Sequence, residues 1–90
     1  MRILLAEDDK VCQGAIKSFS KKFGVEIDVA NNGLEAFDLA KENDDYDIIL
    51  MDLGMDVMDG YKATKEIRSL TNGADFKIIA LSGGKIIYIS

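Results

Sequence analysis

Three apolar runs along the chain each close on a polar residue. Ile3-Leu4-Leu5-Ala6 runs into Glu7, Asp8 and Asp9; Ile48-Ile49-Leu50-Met51 closes on Asp52; Ile78-Ile79-Ala80-Leu81 closes on Ser82. Short unbroken apolar runs are expected of parallel strands buried on both faces. Val25 to Ala30 instead alternates, with Val25, Ile27 and Val29 on one side, and reads as a half-buried strand. Between the strands the spacing becomes helical. A helix is expected over Lys10 to Phe23, with Val11, Ala15, Ile16, Phe19 and Phe23 inward and Gly24 as its stop. Asn32-Gly33-Leu34-Glu35 has the form of a capping box, and Ala36, Leu39 and Ala40 follow on one face. Tyr46 to Met51 is the third strand. Asp59 caps a third helix with Ala63, Thr64, Ile67 and Leu70 inward, Asn72-Gly73 ends it, and Phe76 to Leu81 is the fourth strand. Right-handed crossovers then set helices on both faces of a parallel sheet, an α/β architecture.

The tail adds one more element. Ile86, Ile87, Tyr88 and Ile89 are strand formers, and Gly83-Gly84 is a two-residue hairpin signal. A parallel fifth strand needs a crossover of about a dozen residues, for which there is no room between Ser82 and Lys85. Residues 85 to 89 are therefore expected to run antiparallel to the fourth strand, pairing with the same chain or with another. The second option is a homodimer through the fourth strand and this C-terminal segment.

Composition narrows the class. Ninety residues allow one domain, here taken as 1–90, and 48% hydrophobic with 30% charged residues fits a folded globular chain. A net charge of −5 without a basic patch argues against nucleic-acid binding. No apolar run approaches the roughly 20 residues that span a bilayer. The opening segment turns acidic at once, unlike a signal peptide. The lone Cys12, read as a partly buried small residue, forms no internal disulfide. A cytoplasmic location is the expectation.

The chemistry lies at the strand ends. If the apolar runs are parallel, Glu7, Asp8 and Asp52 meet on the carboxyl edge of the sheet, where open α/β folds place their sites. Carboxylates from two strand ends repel, and an oxygen-only donor set favours Mg²⁺ or a similar hard ion. Other motifs fail. Gly83-Gly84-Lys85 lacks the remainder of a P-loop, Asp52-Leu53-Gly54 lacks the second aspartate of the aspartyl phosphatases, and the chain has no His for hydrolase chemistry.

Together these residues resemble the receiver domains of two-component response regulators, a family that the doubly wound order 2-1-3-4-5 already includes. The resemblance runs through Ile3 to Asp9, Ala30 to Ala36, Asp47 to Gly60, Tyr61 to Arg68 and Ile78 to Ser82, the Tyr61 to Arg68 stretch in the style of hybrid sensor kinases. It implies a flavodoxin-like parallel sheet of order 2-1-3-4, truncated after the fourth strand and lacking the usual fourth helix, fifth strand and fifth helix. It implies Asp52 as phosphoacceptor, Glu7 and Asp8 as the metal-binding pair, the Gly54 carbonyl as a further Mg²⁺ ligand, and Ser82 as the phosphate contact. Its partner would be a histidine kinase or a histidine phosphotransfer protein. Asp56 stands where the family usually has proline and adds a carboxylate beside the site. Lys85, at the start of an antiparallel tail strand, is a candidate for the family's missing site lysine. The expected function is phosphoryl acceptance in a phosphorelay, as a signalling domain rather than an enzyme. The alternatives are a receiver-like interaction or dimerisation module and, less consistent with the motifs, a small Mg²⁺-dependent phosphatase.

Overall fold

Four parallel strands and one antiparallel strand form a single sheet in a computed structural model that describes residues 1–55, 58–70, 76–82 and 85–89. Chain order is β1 (Arg2–Ala6), α1 (Lys10–Lys22), β2 (Glu26–Ala30), α2 (Gly33–Glu42), β3 (Ile48–Asp52), α3 (Gly60–Arg68), β4 (Lys77–Ser82) and β5 (Lys85–Ile89). The spatial order is β2-β1-β3-β4-β5, so the parallel part has the doubly wound, flavodoxin-like 2-1-3-4 arrangement with three helices. Leu4 lies opposite Ile49, and Ile49 opposite Ile78, which aligns the carboxyl ends of β1, β3 and β4. The expected antiparallel tail is present, and it pairs within the chain: Ile78 faces Ile89 and Ser82 faces Lys85. The hairpin assigned to Gly83-Gly84 and the stop assigned to Asn72-Gly73 lie outside the described residues.

The helix ends follow their caps. Asp9 accepts from the N–H groups of Val11 and Cys12, and Asn32 accepts from the Glu35 N–H. Asp59 accepts from the Lys62 N–H. Glu35 completes its motif one residue earlier than expected, taking the N–H and side-chain amide of Asn31. Gly24 sits at φ +70° just past α1, where a side chain would be strained.

One face of the sheet is closed. Leu4, Ala6, Ile49, Met51, Ile78 and Ala80 point into a core with Ala36 and Ala40 of α2 and Ala63 and Ile67 of α3. Small residues on both helices let them approach each other and the strands closely. By alternation, Ile3, Leu5, Ile48, Leu50, Ile79 and Leu81 face the other way, toward α1; Leu5 is fully buried and the other five are only half-buried.

The structure corrects the reading of α1. The residues buried on this helix are Gln13 and Ser20, with Ile16 half-buried, while Val11, Phe19 and Phe23 are 81%, 66% and 62% exposed. Polar anchors set the rotation of the helix. The Gln13 side-chain amide donates to the Glu7 carbonyl and to Asn31 Oδ1, and the Ser20 carbonyl accepts from the N–H of Val25 as β2 begins. With both ends tied this way, the apolar stripe turns off the sheet. Cys12 is corrected too: it is exposed rather than partly buried.

Candidate functional site

The acidic edge is built by chain reversals that follow β1 and β3. Glu7 continues directly from β1, and its N–H donates to the Ala30 carbonyl at 3.0 Å, locking it beside the end of β2. Asp8 and Asp9 then leave the sheet, Asp9 serving α1 as its cap. Asp52 ends β3. Its Oδ1 accepts from the Gly54 N–H at 3.1 Å, so the following loop folds back over the carboxylate. One carboxylate oxygen each from Glu7, Asp8 and Asp52 lies within 4.8 Å of the others. Glu7 is buried, Asp52 half-buried and Asp8 exposed, so the cluster opens to solvent on one side.

Burial pushes the Glu7 carboxyl above its ordinary range; the N–H of Asp9 opposes the shift, and the Asp52 and Asp8 carboxylates reinforce it. The Cys12 thiol is raised as well, chiefly by the Asp9 carboxylate. Among the described residues the donor set is three carboxylates without nitrogen or sulfur, which fits a hard divalent cation such as Mg²⁺.

Glycines hold the loops against the site. Gly60, the first residue of α3, lies so close to the Asp52 carbonyl that a Cβ would run into backbone there. Gly33, which opens α2, donates its N–H to the Met58 carbonyl at 2.9 Å, and a Cβ would strike that same carbonyl. Two helix starts therefore clamp the segment after β3. A side chain at Gly54 would meet only the Asp52 carboxylate at ordinary contact distance, so space does not dictate that glycine.

Of the residues expected at the site, Glu7, Asp8 and Asp52 are brought together, and Gly54 lies beside them. Ser82 ends β4 one position beyond Leu81, the residue paired with Asp52, and Lys85 is its cross-strand partner at the start of β5. Asp56 lies outside the described residues. Sequence reasoning missed Gln13 and Asn31. Asn31 follows β2 on the same edge, and its Oδ1 accepts from Gln13 and from Lys10 Nζ. Its position right after a strand end was a usable signal; Gln13 offered none.

With this geometry in place, the comparisons with known proteins agree. The family profile of the response regulator receiver domain matches residues 3–87, and the chain belongs to that family. A probable histidine kinase 1 of Oryza sativa subsp. indica is 52% identical over 71 residues, 79% of this chain and 7% of that protein. The receiver domain of a Pseudomonas aeruginosa sensor histidine kinase, solved with magnesium coordinated in its active-site cleft, is 40% identical with a TM-score of 0.84. That match covers 88% of this chain and 64% of the solved one. The Saccharomyces cerevisiae receiver domain of Ssk1, co-crystallised with the histidine phosphotransfer protein Ypd1, is 29% identical with a TM-score of 0.81, covering 89% and 61%. The chain thus spans under two thirds of these solved receivers and a small part of the kinase. Among the described residues no helix is long and apolar enough to cross a membrane.

Proposed function

We propose that this receiver domain accepts a phosphoryl group on Asp52 from a phosphohistidine of a histidine kinase or histidine phosphotransfer protein. The observation that carries the reading is the meeting of Glu7, Asp8 and Asp52 within 4.8 Å on the carboxyl edge of the sheet. An Asp52 carboxylate oxygen attacks phosphorus, the P–N bond to the donor imidazole breaks, and the bond's electron pair leaves with the imidazole nitrogen, which takes up a proton. Positioning and charge neutralisation are the protein's main share of such a transfer, because the transition state spreads charge over the phosphoryl oxygens.

Glu7, Asp8, Asp52 and the Gly54 carbonyl are the groups that would hold Mg²⁺. A bound ion supplies charge neutralisation to both the carboxylates and the phosphoryl oxygens. The Gly54 N–H keeps one Asp52 oxygen oriented. Ser82 is assigned the phosphoryl contact on the strength of its place one residue past the Asp52–Leu81 pair. Lys85 is assigned a supporting positive charge on the same edge, because the antiparallel direction of β5 puts its first residue opposite Ser82. Asp56 is retained as a candidate modifier of metal affinity.

The test is labelling with acetyl phosphate and with a phosphohistidine donor in the presence of Mg²⁺. The expected result is one acid-stable, alkali-labile phosphoryl group that disappears in Asp52→Asn, and less labelling in Lys85→Ala. Label that persists on Asp52→Asn would overturn the assignment. No labelling of a folded wild type would favour an interaction module, and steady turnover of diverse phosphoesters would favour a phosphatase.

A further inference from the structure

Glu7 and Asp8 are adjacent in the chain, so one planar peptide group, from the Glu7 carbonyl to the Asp8 N–H, bears on the direction of both carboxylates. A buried side chain from another element holds that group. Gln13, in the first turn of α1 and only 6% exposed, donates its amide to the Glu7 carbonyl. We propose that Gln13 is a positioning residue which, by fixing the Glu7–Asp8 peptide, makes the acidic edge prefer Mg²⁺ to the larger Ca²⁺. The inference rests on the reading that this edge holds a divalent ion, and it adds what sets the choice of ion.

The backbone of Glu7 is held on both sides of its Cα. Its N–H donates to the Ala30 carbonyl at 3.0 Å, and its carbonyl accepts from Gln13. With both flanking peptide planes fixed, only the side-chain torsions stay free. The Asp9 N–H, donating to Glu7 Oε1 at 3.1 Å, restrains those as well. Asp8 is exposed, and its placement follows from the peptide that precedes it. The Gln13 amide is aimed in its turn. Its nitrogen carries two N–H groups, matched by two acceptors, the Glu7 carbonyl and Asn31 Oδ1, the latter at 2.9 Å. Glu35 Oε1 locks Asn31 by accepting from its backbone N–H and its side-chain amide, both at 3.2 Å. Lys10 Nζ donates to the same Asn31 Oδ1 at 2.6 Å. A chain of hydrogen bonds thus runs from the first turn of α2 to the peptide between two carboxylates.

Rigidity at that point decides between ions of different size. Three carboxylates within 4.8 Å repel one another, and a loosely held set relaxes by spreading. Mg²⁺ demands near-ideal octahedral oxygen ligands at about 2.0–2.1 Å, whereas Ca²⁺ accepts irregular sets at roughly 2.3–2.6 Å. Spreading therefore costs Mg²⁺ more than Ca²⁺. Groups that orient ligands without touching the ion typically shift affinity by about 10–100-fold. If Gln13 only seated α1 on the sheet, its loss would affect both ions alike or neither.

Isothermal titration with MgCl₂ and with CaCl₂, beside metal-free thermal melts, tests this. Gln13→Met keeps the side-chain length and removes both donors. It should raise the Kd for Mg²⁺ by about tenfold or more and that for Ca²⁺ by no more than about threefold. Ser20→Ala, which removes the hydroxyl bonded to the Lys17 carbonyl at the far end of α1, should leave the preference between ions unchanged. Asn31→Ala should lower the preference in the same direction, and it carries the test alone if Gln13→Met does not fold. The double variant should be no worse than Gln13→Met, because both residues act through one chain of hydrogen bonds. Equal losses for the two ions, wild-type affinities in both single variants, or a wild type that prefers Ca²⁺ would overturn the proposal and leave the metal reading standing. A wild type that binds neither ion would overturn the metal reading, and the proposal with it.

Discussion

Ile49 and Leu50 are neighbours in β3, yet one is fully buried among residues of α2 and α3 while the other is half-covered beside α1. The difference comes from what faces them. On the α2–α3 side, alanines at 36, 40 and 63 bring two helices down onto branched and long side chains of the strands, and among the described residues no polar side chain but that of Thr64 of α3 is buried there. On the α1 side, a single helix is tied down by the amide of Gln13 and the carbonyl of Ser20, and its phenylalanines lie beside the strands rather than on them. A continuous apolar strand therefore does not guarantee that both of its faces are covered to the same depth by the described residues. It states only that both faces are suited to burial.

The sharpest way to break this comparison is to truncate both neighbours. Ile49→Ala should cost about 2–5 kcal/mol, as fully buried positions do, and Leu50→Ala about half as much. Urea unfolding at low micromolar protein checks the pair, and equal losses would mean that the two faces are packed alike. Next in size is Gly60→Ala, where a Cβ meets the backbone of Asp52 and Leu53; a loss of about 1–3 kcal/mol is expected. That variant should also weaken the Mg²⁺ response, because the strain falls on the residue that carries the site.

Asn32→Ala removes the cap of α2 and should cost about 1 kcal/mol by the same assay. Its effect sharpens the contrast, since α2 belongs to the closed face and keeps its packing without the cap. Millimolar Mg²⁺ should raise the melting temperature by a few degrees through binding to the native state alone, and Asp8→Ala should remove that rise. In the absence of metal, Asp52→Asn should melt higher than the wild type, because one of three clustered carboxylates loses its charge.

The smallest effect is in pH. The folded-state pKa of Glu7 is raised, so the native state holds its proton more tightly than the unfolded chain does. Metal-free stability is therefore highest in acid with respect to this group. It declines as pH rises from the unfolded carboxylate value, about 4.3, through the higher native value. Thermal melts of wild type and Glu7→Gln across that window should converge in acid and separate above it. Parallel curves would remove Glu7 as the source.

Much of the fold was legible because its signals are local. The caps at Asp9, Asn32 and Asp59, the stop at Gly24 and the inward alanines of α2 each act within a turn or two of the chain, where composition decides the outcome. The antiparallel tail followed from connection length alone, since no crossover fits between β4 and β5. The acidic edge was legible too: once the runs are parallel strands, their carboxyl ends must share one edge, and Glu7, Asp8 and Asp52 lie there. What escaped was rotation and depth. Helical periodicity ranks positions around α1 but has no fixed origin, so the stripe of Val11, Ala15, Phe19 and Phe23 looked inward. Only the assembled structure, with Gln13 hydrogen-bonded to Glu7 six residues away and to Asn31 eighteen residues away in sequence, chose Gln13 and Ser20 instead. The same holds for the clamp at Gly33 and Gly60, which depends on backbone brought close from separate segments. Local sequence thus determined which elements form and which residues reach the carboxyl edge, because caps, turns and alternation act over a few bonds. Tertiary structure alone decided which side of α1 is covered and how tightly the site is held, because those depend on contacts between segments far apart in the chain.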